Sequence, residues 1–171
     1  MSTLLAGRAR RLGDDVNTDY IISSTRKTET IDEQVLKRYL LEAVDPAFAS
    51  SVQPGDVLVA GRNFGCGSAM EVAATVILAA GIRAVIAQSF SRTFYRNAVN
   101  NGLLPIECDS SGIHEGDAIT VESSGTRVRV RDETTGAVVT GTIPSGIAAK
   151  ILSAGGLVPY LRTTGRFEQP R

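Results

Sequence analysis

One stretch, Val57–Ala87, constrains this chain more than any other. Val57–Ala60 is a short apolar run. A glycine-rich segment follows, Gly61-Arg62-Asn63-Phe64-Gly65-Cys66-Gly67, and Ser68–Ala80 then reads as a helix. Gly81 stands at the C′ position, where a left-handed residue commonly ends a helix. Ala84–Ala87 is a second apolar run. Strand, loop, helix and strand within about 30 residues make a βαβ unit, expected to be parallel and right-handed. The logic repeats: Phe90–Asn101 predicts a helix stopped by Gly102, and Leu103–Cys108 predicts a strand.

Other segments read differently. Ala118–Val121, Arg127–Arg131 and Val138–Ile143 alternate apolar and polar residues, with turn chemistry at Ser123-Ser124-Gly125 and Thr134-Thr135-Gly136. Short antiparallel hairpins follow from that pattern. Ser145–Ser153 predicts a closing helix before Gly155-Gly156, and the tail from 161 to 171 is expected to fray or to touch a partner. Near the start, Gly13-Asp14-Asp15 and Asn17-Thr18-Asp19 are turns and Tyr20-Ile21-Ile22 reads as a strand. Ser23–Glu33 reads as a polar loop. Asp32–Ala43 reads as an amphipathic helix with Val35, Leu36, Tyr39 and Leu40 on one face. The whole, residues 1–171, is expected to be one α/β domain with a parallel βαβ core and an antiparallel β section.

Composition narrows the partners. The chain has 171 residues, 43% hydrophobic and 21% charged, as ordinary globular proteins do. Lys+Arg and Asp+Glu are both 18. No global field therefore favours nucleic acid or a membrane surface, and zero net charge leaves association into homo-oligomers open. There is no signal-peptide h-region and no run long enough to span a membrane, so the cytoplasm is the expected location.

The loop has a physical reading of its own. Ser68-Ala69-Met70-Glu71 fits a capping box, with Ser68 accepting from the N–H of residue 71 and Glu71 reaching back. Exposed N–H groups at such a helix start form an anion site. The glycines would let the backbone approach a ligand. No Lys follows the last glycine, and Met70 occupies the third glycine position of G-x-G-x-x-G, so phosphate and dinucleotide sites are disfavoured. A tight structural turn would look the same.

Several segments together resemble one family: the small subunits of 3-isopropylmalate dehydratase and the corresponding mobile domain of aconitase and homoaconitase. The text that carries this is Gly13–Ile22, Gly61–Ser68, Ala80–Ala87, Ser89–Ala98, Asn101–Pro105 and Ala154–Leu157. The resemblance implies a swivelling β/β/α domain that docks on a large subunit bearing a four-iron four-sulfur cluster. It implies dehydration and rehydration of a hydroxy-diacid, with Ser68 as the catalytic base in its alkoxide form. Asp19, Arg26, Asn63, Gly65, Cys66 and Gly67 fall at or near the substrate by motif position. This chain itself is expected to bind no metal or cofactor: Cys66 and Cys108 are its two cysteines, and a cluster takes several thiolates from one protein.

The departures matter. Where the family reads Gly-Ser-Ser-Arg-Glu-His-Ala, this chain reads Gly67-Ser68-Ala69-Met70-Glu71-Val72-Ala73. The arginine that pairs with a substrate carboxylate is Met70. Lys27 and Thr28 replace an apolar pair after Arg26, which suggests a more polar substrate tail. Arg92 and Arg96 share one helix face, open to substrate, partner or solvent. Two other readings compete: a non-catalytic or altered-substrate paralogue that still docks, and a stand-alone small-molecule-binding domain.

Overall fold

The computed structural model describes residues 2–166. Four strands run parallel: β1 (Ser2–Arg11), β2 (Val57–Val59), β3 (Ala84–Ala87) and β4 (Leu104–Glu107). Three more, β5 (Ala118–Ser124), β6 (Arg127–Asp132) and β7 (Val138–Thr142), form antiparallel hairpins. Together they close a barrel in the order β1-β2-β3-β4-β7-β6-β5. Closure comes from β1 pairing antiparallel with β5, and from Glu107 of β4 facing Thr142 of β7. A closed sheet leaves no unpaired edge.

The sequence explains which strands are apolar throughout. Val57 and Val59 face the barrel interior, while Leu58 faces a helical layer outside. Ala84 and Ile86 point inward and Val85 and Ala87 outward in the same way. Parallel strands covered on both faces need continuous apolar runs. β6 is different: Val128 and Val130 fill the interior, while Arg127, Arg129 and Arg131 are exposed. Its alternation is that of a strand wet on one face.

The outer layer is α5 (Glu71–Ala79) and α6 (Arg92–Asn101), with short elements from the β1–β2 crossover. These are α1 (Thr18–Ile21), α2 (Ser24–Glu29), α3 (Glu33–Leu36), a 3-10 turn (Lys37–Tyr39) and α4 (Phe48–Ser51). Two closing helices, α7 (Gly146–Ser153) and α8 (Leu157–Thr164), pack on α6 through Val99, Ile151 and Tyr160.

Five expectations are corrected. β1 was not foreseen: its first seven residues are exposed or half-buried, and its identity rests on long-range pairing with β2 and β5. Tyr20-Ile21-Ile22 is not a strand; Thr18–Ile21 is a turn of helix capped by Asn17, whose side chain accepts from the Asp19 N–H. Ser23–Glu33 is not a loop, since Ser23 caps α2. The single helix over Asp32–Ala43 breaks because Leu40 and Leu41 are both fully buried, and Leu41 adopts φ 56°. The tail continues as helix to Thr164, while 167–171 lie outside the described residues.

Candidate active site

The loops after β1, β2 and β3 meet at the carboxyl end of the parallel strands, where open α/β sheets usually bind ligands. Hydrogen bonds knit them. Gly65 N–H donates to Val16 O and Asp15 N–H to Arg62 O, each at 2.8 Å. Arg62 N–H donates to Asp14 Oδ1 at 2.7 Å. The N–H of Asn63 donates to the Ser89 hydroxyl and its amide to Asp15 Oδ1, each at 2.8 Å.

Beneath the loop sit three aromatic rings. Phe64 meets Phe94 edge-on at 5.0 Å and Phe90 edge-on at 6.0 Å. Such pairs contribute about 0.5–1.5 kcal/mol each beyond burial. Packing alone already requires glycine at two positions of the loop. A Cβ on Gly65 would lie 2.2 Å from Phe94, and one on Gly67 would lie 2.5 Å from the Asn17 side chain; both have positive φ.

The expected capping box does not form. α5 begins at Glu71, and its N-cap is Met70, with no side-chain cap hydrogen bond. The reason is burial. Met70 is 4% exposed and belongs to the main core cluster, and drawing it inward takes Ser68 out of capping position. Ser68 is exposed, and its hydroxyl makes no hydrogen bond among the described residues. Its carbonyl oxygen accepts from the buried Thr18 hydroxyl at 2.8 Å.

The other expected site residues divide. Cys66 and Gly67 lie beside Ser68, with the Cys66 carbonyl accepting from Thr18 N–H at 2.8 Å. Asp19 follows Thr18, and its Oδ1 is buried without a hydrogen-bond partner. Asn63 and Gly65 hold the loop through the bonds above, and Gly65 is buried. Arg26 lies in α2 and is engaged within the chain. Its guanidinium donates to Glu42 at 2.9 Å, reaches Glu29 at 3.5 Å and stacks over the Tyr39 ring at 3.9 Å. Hydrogen bonding to Glu42 raises its pKa.

Two contributors escaped the sequence reading. Thr18 and Ser89 are ordinary polar residues whose importance lies in bonds to distant segments. Lys27, singled out in the sequence, lines a cleft of about 390 Å³ with Glu71 and Val72.

Residues 12–111 match the aconitase C-terminal domain family. The chain belongs to that family. It is 45% identical over 159 residues to the 3-isopropylmalate dehydratase small subunit of Desulfovibrio desulfuricans, covering 91% of this chain and 94% of that one. It is 41% identical over 159 residues to the methanogen homoaconitase small subunit of Methanocaldococcus jannaschii, covering 93% and 92%. A crystal structure of 3-isopropylmalate dehydratase from Methanocaldococcus jannaschii superposes with a TM-score of 0.89 at 40% identity, covering 94% and 95%.

The protein is thus an aconitase-type small subunit, part of a hydro-lyase. Among the described residues no three His, Cys, Asp or Glu side chains gather as a metal group, and no helix is long and apolar enough to cross a membrane. The Met70 side chain turns into the core, so the start of α5 presents no cation at that position.

Proposed function

We propose that this small subunit completes the active site of a hydro-lyase acting on a hydroxy-diacid of the 3-isopropylmalate or homoaconitate kind, with Ser68 as the base. The observation that carries this is the uncapped start of α5 beside a free Ser68 hydroxyl. A serine used as a cap could not also take a proton; here the two roles do not compete. The helix N-terminus offers unclaimed N–H groups to the developing alkoxide. Asp19 Oδ1, buried and unpartnered, is an acceptor awaiting a donor.

The magnitudes call for a second half-site. A helix terminus favours a nearby anion by up to about 2 kcal/mol. A serine alkoxide near neutral pH needs several times that. A large subunit bearing a four-iron four-sulfur cluster would supply the rest, by Lewis-acid polarisation of the substrate. The cluster is placed on the partner because this chain has two cysteines, Cys66 and the buried Cys108, fewer than the thiolate set a cluster takes. Two free thiols and such a partner suit the reducing cytoplasm. This chain closes the cleft by swivelling as one unit, positions Ser68 through Thr18 and excludes water.

The substrate's far end is polar. Lys27 and Thr30 line the cleft with Glu33, Glu71 and Thr75, and Ile31, Leu36 and Val72 form its apolar part. Without the arginine, a charge-assisted carboxylate contact worth about 1.5–3 kcal/mol is lost unless Lys27 replaces it.

Reconstitution with an iron–sulfur large subunit tests this. Neither subunit alone should turn over substrate, and the pair should prefer diacids with a polar tail to 3-isopropylmalate. Equal or faster turnover of 3-isopropylmalate removes the polar-tail assignment. Inactivity on every hydroxy-diacid contradicts the hydro-lyase assignment for this copy.

A further inference from the structure

The groove between α6 and α7 holds charges that the hydro-lyase site does not use. It is a cavity of about 470 Å³, within the range of small-molecule sites. Arg92 and Arg96 stand one helical turn apart on its α6 side, and Glu107 of β4 lines it too. Among the described residues none of these three side chains has an ion pair or a hydrogen bond. The α7 side is apolar, from Ile147 and Ile151, and Ile147 stays 42% exposed.

Unpartnered charges of both signs around an apolar wall define a ligand class. A simple carboxylate would satisfy the arginines and be repelled by Glu107. An amine would satisfy Glu107 and be repelled by two guanidinium groups. A zwitterion with an apolar side chain satisfies all three.

We propose that this groove binds an apolar α-amino acid. Its carboxylate lies between Arg92 and Arg96, its ammonium lies on Glu107, and its side chain lies against Ile147 and Ile151. Tyr95 also lines the groove. Burial, and then the Glu107 charge, push its phenol up, so its hydroxyl stays a donor. Phe90 forms another wall, and it bridges to Phe64 in the active-site loop. A ligand on Phe90 therefore packs on the segment that positions Ser68. The site does not depend on which hydroxy-diacid the enzyme turns over.

Calorimetric titration of the full chain tests the proposal. The ligands are L-leucine, 4-methylpentanoate, which lacks the ammonium, and isopentylamine, which lacks the carboxylate. L-Leucine should bind at millimolar or lower concentration, and losing either end group should weaken binding roughly ten-fold or more. The double variant Arg92→Ala/Arg96→Ala should lose a similar factor for both acids. Glu107→Gln should weaken L-leucine and, by removing a repelling charge, tighten 4-methylpentanoate. The proposal is overturned if L-leucine gives no heat, or if 4-methylpentanoate matches it. It is also overturned if adding the large subunit abolishes binding, because the groove is then a docking surface for that protein.

Discussion

The hydroxyl of Thr18 donates a 2.8 Å hydrogen bond to the carbonyl oxygen of Ser68. The two residues are 50 positions apart, and their bond ties the loop after β1 to the proposed base. Thr18→Val keeps the shape and removes the donor. Stability should fall by about 1 kcal/mol in denaturant unfolding. Turnover should fall further, by roughly ten-fold or more, because small misplacements of a reacting group are costly. Lost stability with unchanged turnover would remove Thr18 from the positioning role.

Gly65 is a packing glycine. Gly65→Ala places a methyl against the Phe94 ring at a positive φ. Overpacking and backbone strain together should cost about 2–4 kcal/mol. Thermal unfolding checks it. An unchanged midpoint would mean that the loop does not rest on Phe94.

Asp56 ties the base of β1 to the start of β2. It accepts from Arg8 at 2.7 Å and lies 3.4 Å from Arg10, and it is 4% exposed. Burial pushes its carboxyl up, but hydrogen bonds from Arg8, the Gln53 N–H and Arg10 outweigh it and hold the carboxyl below its ordinary value. A depressed carboxyl contributes stability that is present above its unfolded value and lost as pH falls through its folded value. Unfolding measurements should therefore show acid destabilisation setting in below about pH 4. Asp56→Asn should cost about 3 kcal/mol at neutral pH and flatten that acid limb. A variant with the same acid limb as the parent would place the titration elsewhere.

The two thiols should react differently. Cys66 is half-buried in the loop, while Cys108 is 9% exposed and its thiol is pushed up. A thiol-specific reagent at pH 8 should label Cys66 quickly in the folded chain and Cys108 only after unfolding. Fast labelling of both would contradict the closed packing around β4.

Sequence patterns located the parts of the fold whose period is local. β3 runs over Ala84–Ala87 as expected, and Gly102 ends α6 at φ 84°. β1 stayed hidden because its side chains are mostly wet and its partners lie far along the chain. At the site, the sequence put Ser68 in the loop after β2 but misassigned its bond. The capping box is a local rule, and burial of Met70 in the core overrode it. The contacts of Arg26 were hidden for a related reason: Glu42 and Tyr39 are near it only after the β1–β2 crossover folds. Nothing in the sequence marks that Arg92, Arg96 and Glu107 surround one cavity.

The central claim is that Ser68, left uncapped at the start of α5, is the base of a two-subunit site. Ser68→Ala, assembled with an iron–sulfur large subunit, tests it most directly. The hydroxyl makes no structural bond, so assembly and unfolding should match the parent. Turnover of the hydroxy-diacid should fall by about 10²–10⁴-fold, the usual worth of a positioned general base. Turnover within a few-fold of the parent, in an intact complex, would contradict the account.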